Sequence, residues 1–397
     1  MRFLHTSDWH IGRAMRGQSR REEQEAALAQ VLEHAVQQQV DCLLVAGDVF
    51  DTSSPTPEAE RIVYSFFRDL SRAHIPAVVI AGNHDHPMRF DALSRLVVAL
   101  DIHLLGAAKA PDAGGIITIR SRDGNETASI AALPWISERE AVDFATLQDG
   151  TSEPIVQYAE RVGQAMKALA SAMPPETCNV MLAHLFTNNA EVGAGGGERE
   201  LTLNMGIYGV NPQMLPPQAQ YMALGHVHKA QTVRKSPAAC YSGSLLQLDF
   251  GEVKQDKLVN LVEIHPRRPT DLTPLAITAG KVLADIGSPS KGVTLPELGS
   301  YAALYPPERA WLRVYVDVDI PVANLSALVK AELPNAVHVE RVQAGAEQPD
   351  PAAIRALGPV EMFETFYKSE FGRGKEPSAP TMNLYRRLLE EAGNEAD

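Results

Sequence analysis

Five apolar runs in this chain each end in residues that can bind a metal ion or carry a proton. The clearest run covers residues 77–81, and Gly82-Asn83-His84-Asp85 follows it directly. Small and β-branched residues bounded by polar ones predict buried strands, and the glycine permits a sharp turn. The other polar ends are Asp8-Trp9-His10, Gly47-Asp48-Val49-Phe50-Asp51, His184 and Gly225-His226-Val227-His228. Five such ends predict one site along one edge of a sheet.

Strand and helix candidates alternate over the first 134 residues. Helical periodicity covers residues 20–39, 58–73 and 87–100, and Pro57 and Pro87 suit a first helical turn. This alternation with short connections predicts an α/β fold in which helices cover a sheet. We next expect a hairpin of two strands, at residues 116–120 and 127–132. A long helix should follow at residues 153–172.

The next part of the chain has the pattern of strands. We expect them at residues 238–242, 246–250 and 257–264. The composition of Pro266-Arg267-Arg268-Pro269 indicates a boundary. These features predict a main domain that covers residues 1–268.

The remaining residues predict two smaller units. Two alternating segments and one with helical spacing indicate a small α/β module over residues 269–344. A polar, proline-bearing linker at 345–350 then precedes two amphipathic segments at 359–371 and 381–392. We expect residues 345–397 to form a linker and a helical tail for a partner.

Composition bounds the class of protein. The 397 residues are 45% hydrophobic and 21% charged, as in an ordinary globular chain of two or three domains. We find no apolar run of about eighteen residues that would predict a membrane span, and no apolar segment of a signal peptide. Cys42, Cys178 and Cys240 lie in or beside apolar strand-like runs. We therefore expect buried, reduced thiols and a cytoplasmic protein.

The formal net charge of −13 bears on the substrate. A protein that binds a polyanion by itself is usually basic. If the substrate is a phosphodiester, bound divalent cations must offset local repulsion, and a partner would supply much of the DNA affinity.

Each polar strand end taken singly is weak evidence, because such residues more often cap turns or form satisfied polar groups in a core. Together they offer six or seven oxygen and nitrogen ligands without a thiolate, which is too many for one structural zinc. Mixed Asp, Asn and His ligation suits a pair of manganese or iron-like ions. Two ions about 3.5–4 Å apart clamp the attacking and leaving oxygens of a displacement at phosphorus.

These motifs resemble those of the calcineurin-like metallophosphoesterases. The matching segments are Asp8-x-His10, Gly47-Asp48-x-x-Asp51, Gly82-Asn83-His84-Asp85, His184 and Gly225-His226-x-His228. Tyr241-Ser242-Gly243-Ser244 and Asp249-Phe250-Gly251-Glu252 narrow the resemblance to the nuclease family of double-strand-break repair. The resemblance implies a four-layer α/β core of two packed mixed β-sheets flanked by helices. A small α/β capping domain and C-terminal helices would follow.

The resemblance also implies a role for each residue of the site. One ion would bind Asp8, His10, Asp48 and His228; the other would bind Asp48, Asn83, His184 and His226, so that Asp48 bridges. His84 would face the leaving 3′-oxygen as a proton donor, and Asp85 would orient His84. Asp51 stands where archaeal relatives carry a histidine that contacts the substrate phosphate. His86 is a second imidazole beside these residues.

The implied function is a manganese-dependent DNA nuclease that works with an ATPase subunit and forms a homodimer within that complex. It would act as a 3′→5′ exonuclease on duplex ends and as an endonuclease on single strands or hairpins. Two alternatives stay open: an enzyme for small phosphoesters with the same ligands, and a scaffold for an ATPase whose active site is vestigial.

Overall fold

The computed structural model describes residues 1–137, 154–193, 209–318, 322–342, 359–370 and 376–394. Six strands form the first sheet: β1 (Arg2–Thr6), β2 (Cys42–Val45), β3 (Ala77–Ile80), β4 (Ile102–Leu105), β11 (Leu258–Glu263) and β12 (Asp271–Ala276). Their order across the sheet is β12-β11-β1-β2-β3-β4. Strands β1 to β4 run parallel, whereas β11 and β12 are antiparallel to their neighbours, so the sheet is mixed.

A second mixed sheet packs against the first. Its strands are β5 (Ile116–Arg120), β6 (Thr127–Leu133), β7 (Cys178–His184), β8 (Tyr221–Gly225), β9 (Gln231–Lys235) and β10 (Ala238–Tyr241). Their order is β5-β6-β7-β8-β10-β9, and β5 with β6 forms the predicted antiparallel hairpin.

Helices cover the outer faces of both sheets. On the first sheet lie α1 (Arg21–Gln37), α2 (Pro57–Arg72) and α3 (Pro87–Val97), and on the second lies α4 (Pro154–Ser171). Helix α2 shows how the sequence specifies this layer. The Thr56 side chain caps it by accepting a hydrogen bond from the Ala59 N–H, Pro57 occupies its first turn, and its apolar stripe is buried. Within the described ranges, no helix combines the length and apolarity needed to cross a membrane.

Alternation along the strands of the first sheet separates the layers. In β1, Phe3 packs between the two sheets, while its neighbour Leu4 packs under the helices. In β2, Leu44 and Leu43 divide in the same way. Because successive side chains of a strand point to opposite faces, this sheet buries apolar residues on both sides. The four-layer α/β fold expected from the sequence is confirmed.

The predicted strand at residues 246–250 is wrong. The segment instead leads into a single 3₁₀ turn, Phe250–Glu252, where the Asp249 carboxylate accepts a hydrogen bond from the Gly251 N–H at 2.9 Å. Leu246 and Leu248 are buried against the first sheet without pairing as a strand. Apolar content alone therefore misled the strand assignment, because it reports burial rather than backbone pairing.

A third sheet follows in the chain. It contains β13 (Val282–Ile286), β14 (Ala310–Asp317) and β15 (Ala336–Val342), all parallel, with helices α5 (Gly299–Ala302) and α6 (Leu325–Glu332). The predicted division at residues 268 and 269 falls between β11 and β12, which pair within the first sheet. Sheet membership thus assigns residues 271–276 to the main domain, and the domain limits as a whole stay a prediction.

Two helices are present near the C-terminus, as expected: α7 (Pro359–Glu370) and α8 (Ala379–Asn394). They contact one another through stacked rings of Phe363 and Tyr385, whose centroids lie 4.0 Å apart. The linker predicted at residues 345–350 lies outside the described residues.

Candidate metal centre

The five polar strand ends meet where the edges of both large sheets come together. The ends of β1, β2 and β3 come from the first sheet, and those of β7 and β8 from the second. The prediction of one edge of a single sheet is therefore wrong. Hydrogen bonds join the edges: for example, His184 Nδ1 donates to the Ala46 carbonyl at 2.7 Å, and the His226 N–H donates to Asp8 Oδ1 at 2.9 Å.

Asp8, His10 and His228 form what we call the first cluster. They offer one ligand atom each, and these atoms lie within 4.8 Å of one another. All three residues are buried, and the rings of His10 and His228 pack edge to face with centroids 5.0 Å apart.

Asp48, Asn83, His184 and His226 form the second cluster. The ligand atoms of Asp48, His184 and His226 also lie within 4.8 Å of one another. The Asn83 Oδ1 completes the group, at 3.0 Å from His184 Nε2 and 2.9 Å from His226 Nδ1. Asp48 lies between the clusters, since its Oδ2 is 3.5 Å from His184 Nε2 and 3.7 Å from His10 Nε2.

Several ring nitrogens in the clusters have no hydrogen-bond partner. Within the described residues these are both ring nitrogens of His10 and the Nε2 of His226, all buried. The Asp51 carboxylate lies 3.4 Å from His10 Nδ1, which is longer than an ordinary N–H···O hydrogen bond. Unpaired buried polar atoms are costly, and a cation between such nitrogens and carboxylates would satisfy them. The residues present therefore fit a pair of divalent cations.

Burial tunes the protonation of the cluster residues. It lowers the pKa of His10, and it lowers the pKa of His226 well below the usual value. Both rings are neutral as a result, which is the form that binds metals. Burial opposes the charged forms of Asp48 and His184 as well, but their mutual attraction outweighs it. The pKa of Asp48 is held well below its ordinary range, and that of His184 is raised to about 9.

Four residues of the clusters have left-handed backbone. The φ angles are 50° at Asp8, 46° at His10, 49° at Asp48 and 105° at His226. Non-glycine residues rarely adopt positive φ, and such outliers persist at functional sites. Gly47 has a packing reason of its own, because a Cβ there would lie 2.3 Å from His184 Nδ1. The sharp turns after the strands are thus what aims the ligands.

Asn83 and His84 point in different directions, as expected for neighbours on an irregular extended segment. Asn83 faces the second cluster, whereas the ring of His84 lies 4.8 Å from that of His10. His84 Nδ1 is 2.8 Å from the Asp51 carbonyl oxygen, and the His84 N–H donates to Asp48 Oδ1. His84 is half-buried, so one edge of the imidazole can reach a substrate.

The hydrogen bonds of the Asp85 carboxylate go to backbone groups and not to the His84 ring, so the role of Asp85 in orienting His84 stays a prediction. Its carboxylate accepts hydrogen bonds from the backbone N–H groups of Val49, Phe50 and Gly82. These contacts join the ends of β2 and β3 and position both turns. Burial, and next the charge of Asp48, raises the pKa of Asp85 to about 7. His86 is exposed at the start of α3.

Three supporting residues were missed from the sequence. The Glu252 Oε1 lies 3.0 Å from His228 Nδ1, and its Oε2 accepts from Lys257 Nζ at 2.6 Å. The Trp135 ring stacks on that of His226, with centroids 4.9 Å apart and 25° between planes. Such partners fix the orientation of metal-binding imidazoles. Asp51, which the sequence left without a settled role, pairs with Arg13 at 3.1 Å beside His10.

Comparison with known proteins agrees with this geometry. The family model described as calcineurin-like phosphoesterase matches residues 1–230. The chain belongs to this family. Its match covers every residue of the two clusters.

The chain is also a homologue of bacterial proteins named as the SbcD subunit of the nuclease SbcCD. It is 29% identical to that of Bacillus subtilis over 98% of this chain and 97% of the relative. Identity is 30% with the Rhodobacter capsulatus protein, over 92% of each chain. With the Escherichia coli K12 protein it is 28%, over 83% of this chain and 82% of the relative.

Two solved structures align with part of the chain. One, from Thermus thermophilus, aligns with a TM-score of 0.38 at 15% identity over 69% of this chain and 98% of that protein. The other, a dimetal phosphatase from Danio rerio, has a TM-score of 0.41 at 12% identity over 70% and 99%.

Proposed function

We propose that this phosphoesterase is a manganese-dependent DNA nuclease subunit that acts with an SbcC-like ATPase. The observation that carries the proposal is the meeting of the two ligand clusters, whose Asp and His side chains are buried, with the half-buried His84 imidazole beside them. The name of the relatives, which calls them subunits of a nuclease, supports a nucleic acid as the substrate. The mixed oxygen and nitrogen donors support Mn²⁺.

The first cluster together with Asp48 would hold one ion, and the second cluster would hold the other. Two bound divalent ions supply charge stabilisation at the phosphorus and a nucleophile at neutral pH. Asp48 suits the shared position because it is buried and its Oδ2 lies 3.5 Å from His184 Nε2 and 3.7 Å from His10 Nε2. A shared anionic oxygen also reduces repulsion between the two cations.

His84 would protonate the leaving 3′-oxygen. Because a carbonyl oxygen can only accept, His84 Nδ1 carries a hydrogen when it bonds to Asp51. The protonated ring would then present its Nε2–H to the substrate. After that proton leaves, the neutral ring keeps its hydrogen bond to Asp51, so the chain need not rearrange.

The substrates would be duplex ends, attacked in the 3′→5′ direction, and single strands or hairpins, cut internally. The net charge of −13 implies that the ATPase supplies much of the attraction to DNA. A single-turnover assay with Mn²⁺ tests this. It should use the chain with its ATPase on blocked and free DNA ends, and the chain alone on bis(p-nitrophenyl) phosphate.

Cleavage of both substrates is expected. Hydrolysis of the small ester without any DNA cleavage in the complex would favour an enzyme for small phosphoesters. Inactivity on both would favour a vestigial scaffold.

The C-terminal helices offer a surface for the ATPase. Met362 and Phe366 of α7 and Leu384 of α8 are exposed, as expected for an amphipathic tail that awaits a partner. Removing residues 346–397 should abolish ATPase binding in a pull-down and leave hydrolysis of the small ester intact. Undiminished binding by the shortened chain would contradict this assignment.

We also propose that the chain forms a homodimer through α2 and α3. The apolar side chains expected at this contact are Tyr64, Phe67 and Leu70 on α2 and Leu93, Leu96, Val97 and Leu100 on or directly after α3. Phe67, Leu70 and Val97 are buried in the chain's own core. Leu96 is exposed, as is Met88 on the same helix, and both are accessible for a two-fold contact. Light scattering at micromolar concentration should give twice the mass of the chain. A monomer under these conditions would count against the dimer.

A further inference from the structure

One contact of the third sheet is with the carboxylate of Glu23, at the start of α1. Trp311 Nε1 donates to Glu23 Oε1 at 2.9 Å, and the Lys281 N–H donates to Glu23 Oε2 at 2.8 Å. Arg20 pairs with the same carboxylate at 2.8 Å, and both charged side chains are buried. A buried, fully bonded carboxylate fixes its partners strongly. The third sheet is therefore held to the first turn of α1 at a defined point.

The next residue of α1 holds the loop that follows His10. Gln24 is buried, and its Oε1 accepts from the Gly12 N–H at 3.1 Å. Its Nε2 donates to the Arg13 carbonyl at 3.0 Å and lies 3.4 Å from that of His10. One turn of helix thus joins the third sheet to a ligand of the first cluster.

A second contact of the third sheet is with Phe250. The Arg313 guanidinium lies 5.1 Å from the centre of the Phe250 ring and is fixed by Asp285 at 2.7 and 2.9 Å. Leu283 and Met15 pack with Phe250 in one buried cluster.

Phe250 begins the 3₁₀ turn that ends at Glu252, the partner of His228. The Gln247 amide reinforces this turn: its Oε1 accepts from the Leu283 N–H at 2.7 Å, and its Nε2 donates to the Glu252 carbonyl at 3.1 Å. Two chains of contacts, which we call routes, therefore link the third sheet to the first cluster. The first runs through α1 to His10, and the second runs through the 3₁₀ turn to His228.

The second cluster is supported differently. In the described part of the chain, the hydrogen bonds of the His184 ring go to Ala46 and Asn83. His226 is covered by the ring of Trp135, which follows β6 and whose backbone N–H donates to the Ala81 carbonyl at 3.0 Å. These supports come from strands and turns of the two large sheets.

We infer that the third sheet positions His10 and His228, and so sets the affinity of the first ion while leaving the second ion unaffected. Trp311 and Arg313 are the positioning residues, because they make the contacts that start the two routes. The inference rests on the proposed two-ion function. Its physical basis is that imidazole ligands bind metal well only when their outer partners hold them in place.

The test isolates each ion in the full chain. Asn83→Ala removes a ligand of the second ion, and His228→Ala removes one of the first. Into each background we would introduce Trp311→Phe with Arg313→Met, which removes both contacts and keeps apolar volume. Calorimetric titration of the metal-depleted proteins with Mn²⁺ then measures the affinity of the remaining ion.

We expect the paired change to weaken Mn²⁺ binding about tenfold in the Asn83→Ala background. In the His228→Ala background the dissociation constant should change less than about twofold. His338→Gln is the matched control, because His338 pairs with Glu340 inside the third sheet at 2.7 Å. It should alter neither affinity.

Equal losses in both backgrounds would overturn the inference, since they would indicate a general loosening of the fold. An unchanged affinity in the Asn83→Ala background would also overturn it. Trp311→Phe alone, with circular dichroism to verify folding, gives a milder second variant that should show the same asymmetry. Absence of Mn²⁺ binding in both parent backgrounds would instead contradict the proposed function itself.

Discussion

The two clusters use different means to hold their imidazoles. In the first, the Glu252 carboxylate lies 3.0 Å from His228 Nδ1, and the Asp51 carboxylate lies near His10 Nδ1 at 3.4 Å, beyond an ordinary hydrogen bond. In the second, His184 donates to a backbone carbonyl and His226 lies against an aromatic ring. A carboxylate partner raises the basicity of an imidazole ligand, whereas a carbonyl or a ring mainly fixes its orientation. The two proposed ions should therefore differ in affinity, with the first bound more tightly.

The largest expected effect tests whether His84 belongs to either cluster. Asn83→Ala should lose the second ion and activity with it. His84→Ala should keep both ions and DNA binding, while cleavage falls about 10²–10⁴-fold, the usual scale for a general acid. Elemental analysis of both variants, with single-turnover rates on DNA, measures the two outcomes.

A substrate whose leaving group needs no proton is the control for this experiment. On a nitrophenolate ester the loss caused by His84→Ala should shrink. The atoms of His84 do lie within reach of a shared ion with His10 and Asp48. If His84→Ala loses a metal equivalent, His84 is a ligand, and the division into two clusters must be redrawn.

The next largest effect concerns the Glu252 carboxylate, which contacts His228 of the first cluster. Glu252→Gln keeps the shape and removes the charge, so the first ion should bind about 10–100-fold more weakly. Burial opposes the charged form, but Lys257 and His228 hold the pKa of Glu252 at about 2, so the carboxylate is charged throughout the assay range. Mn²⁺ titration in the Asn83→Ala background measures the effect.

Lys257 needs its own control, because Glu252→Gln leaves its buried ammonium without a counter-charge. Glu252→Gln with Lys257→Met removes both charges. If this pair restores affinity, the single variant acted by unpairing Lys257, and the contrast between the clusters is not one of ligand basicity.

The smallest effect concerns the Trp135 ring, which stacks on His226 of the second cluster. Trp135→Leu should weaken the second ion about 2–10-fold, since an aromatic contact contributes about 0.5–1.5 kcal/mol beyond its buried area. Trp135→Phe should retain most of the affinity. Titration in the His228→Ala background measures both. If Trp135→Leu lost as much Mn²⁺ affinity as Glu252→Gln, the proposed difference between a carboxylate partner and an aromatic partner would be contradicted.

The sequence predicted best what is local along the chain. The seven proposed ligands follow five apolar runs, so a strand and the turn after it sufficed to find them. Glu252 lies 24 positions from His228, and no periodicity joins them. The sequence also could not assign each strand to one of the two sheets, because the alternation of apolar residues identifies the two faces of a strand and not the strands beside it. Trp135 and Asp85 show the same limit, since their contacts depend on packing.

The proposed site has a cost in stability. Four of its ligands have left-handed backbone: Asp8, His10, Asp48 and His226. A side chain in this conformation costs about 1–2 kcal/mol, a strain that glycine avoids. Glycine would relieve this strain but would remove the ligand atoms. The chain therefore keeps strained side chains where its proposed site needs ligands, at the expense of stability, of which proteins have little to spare.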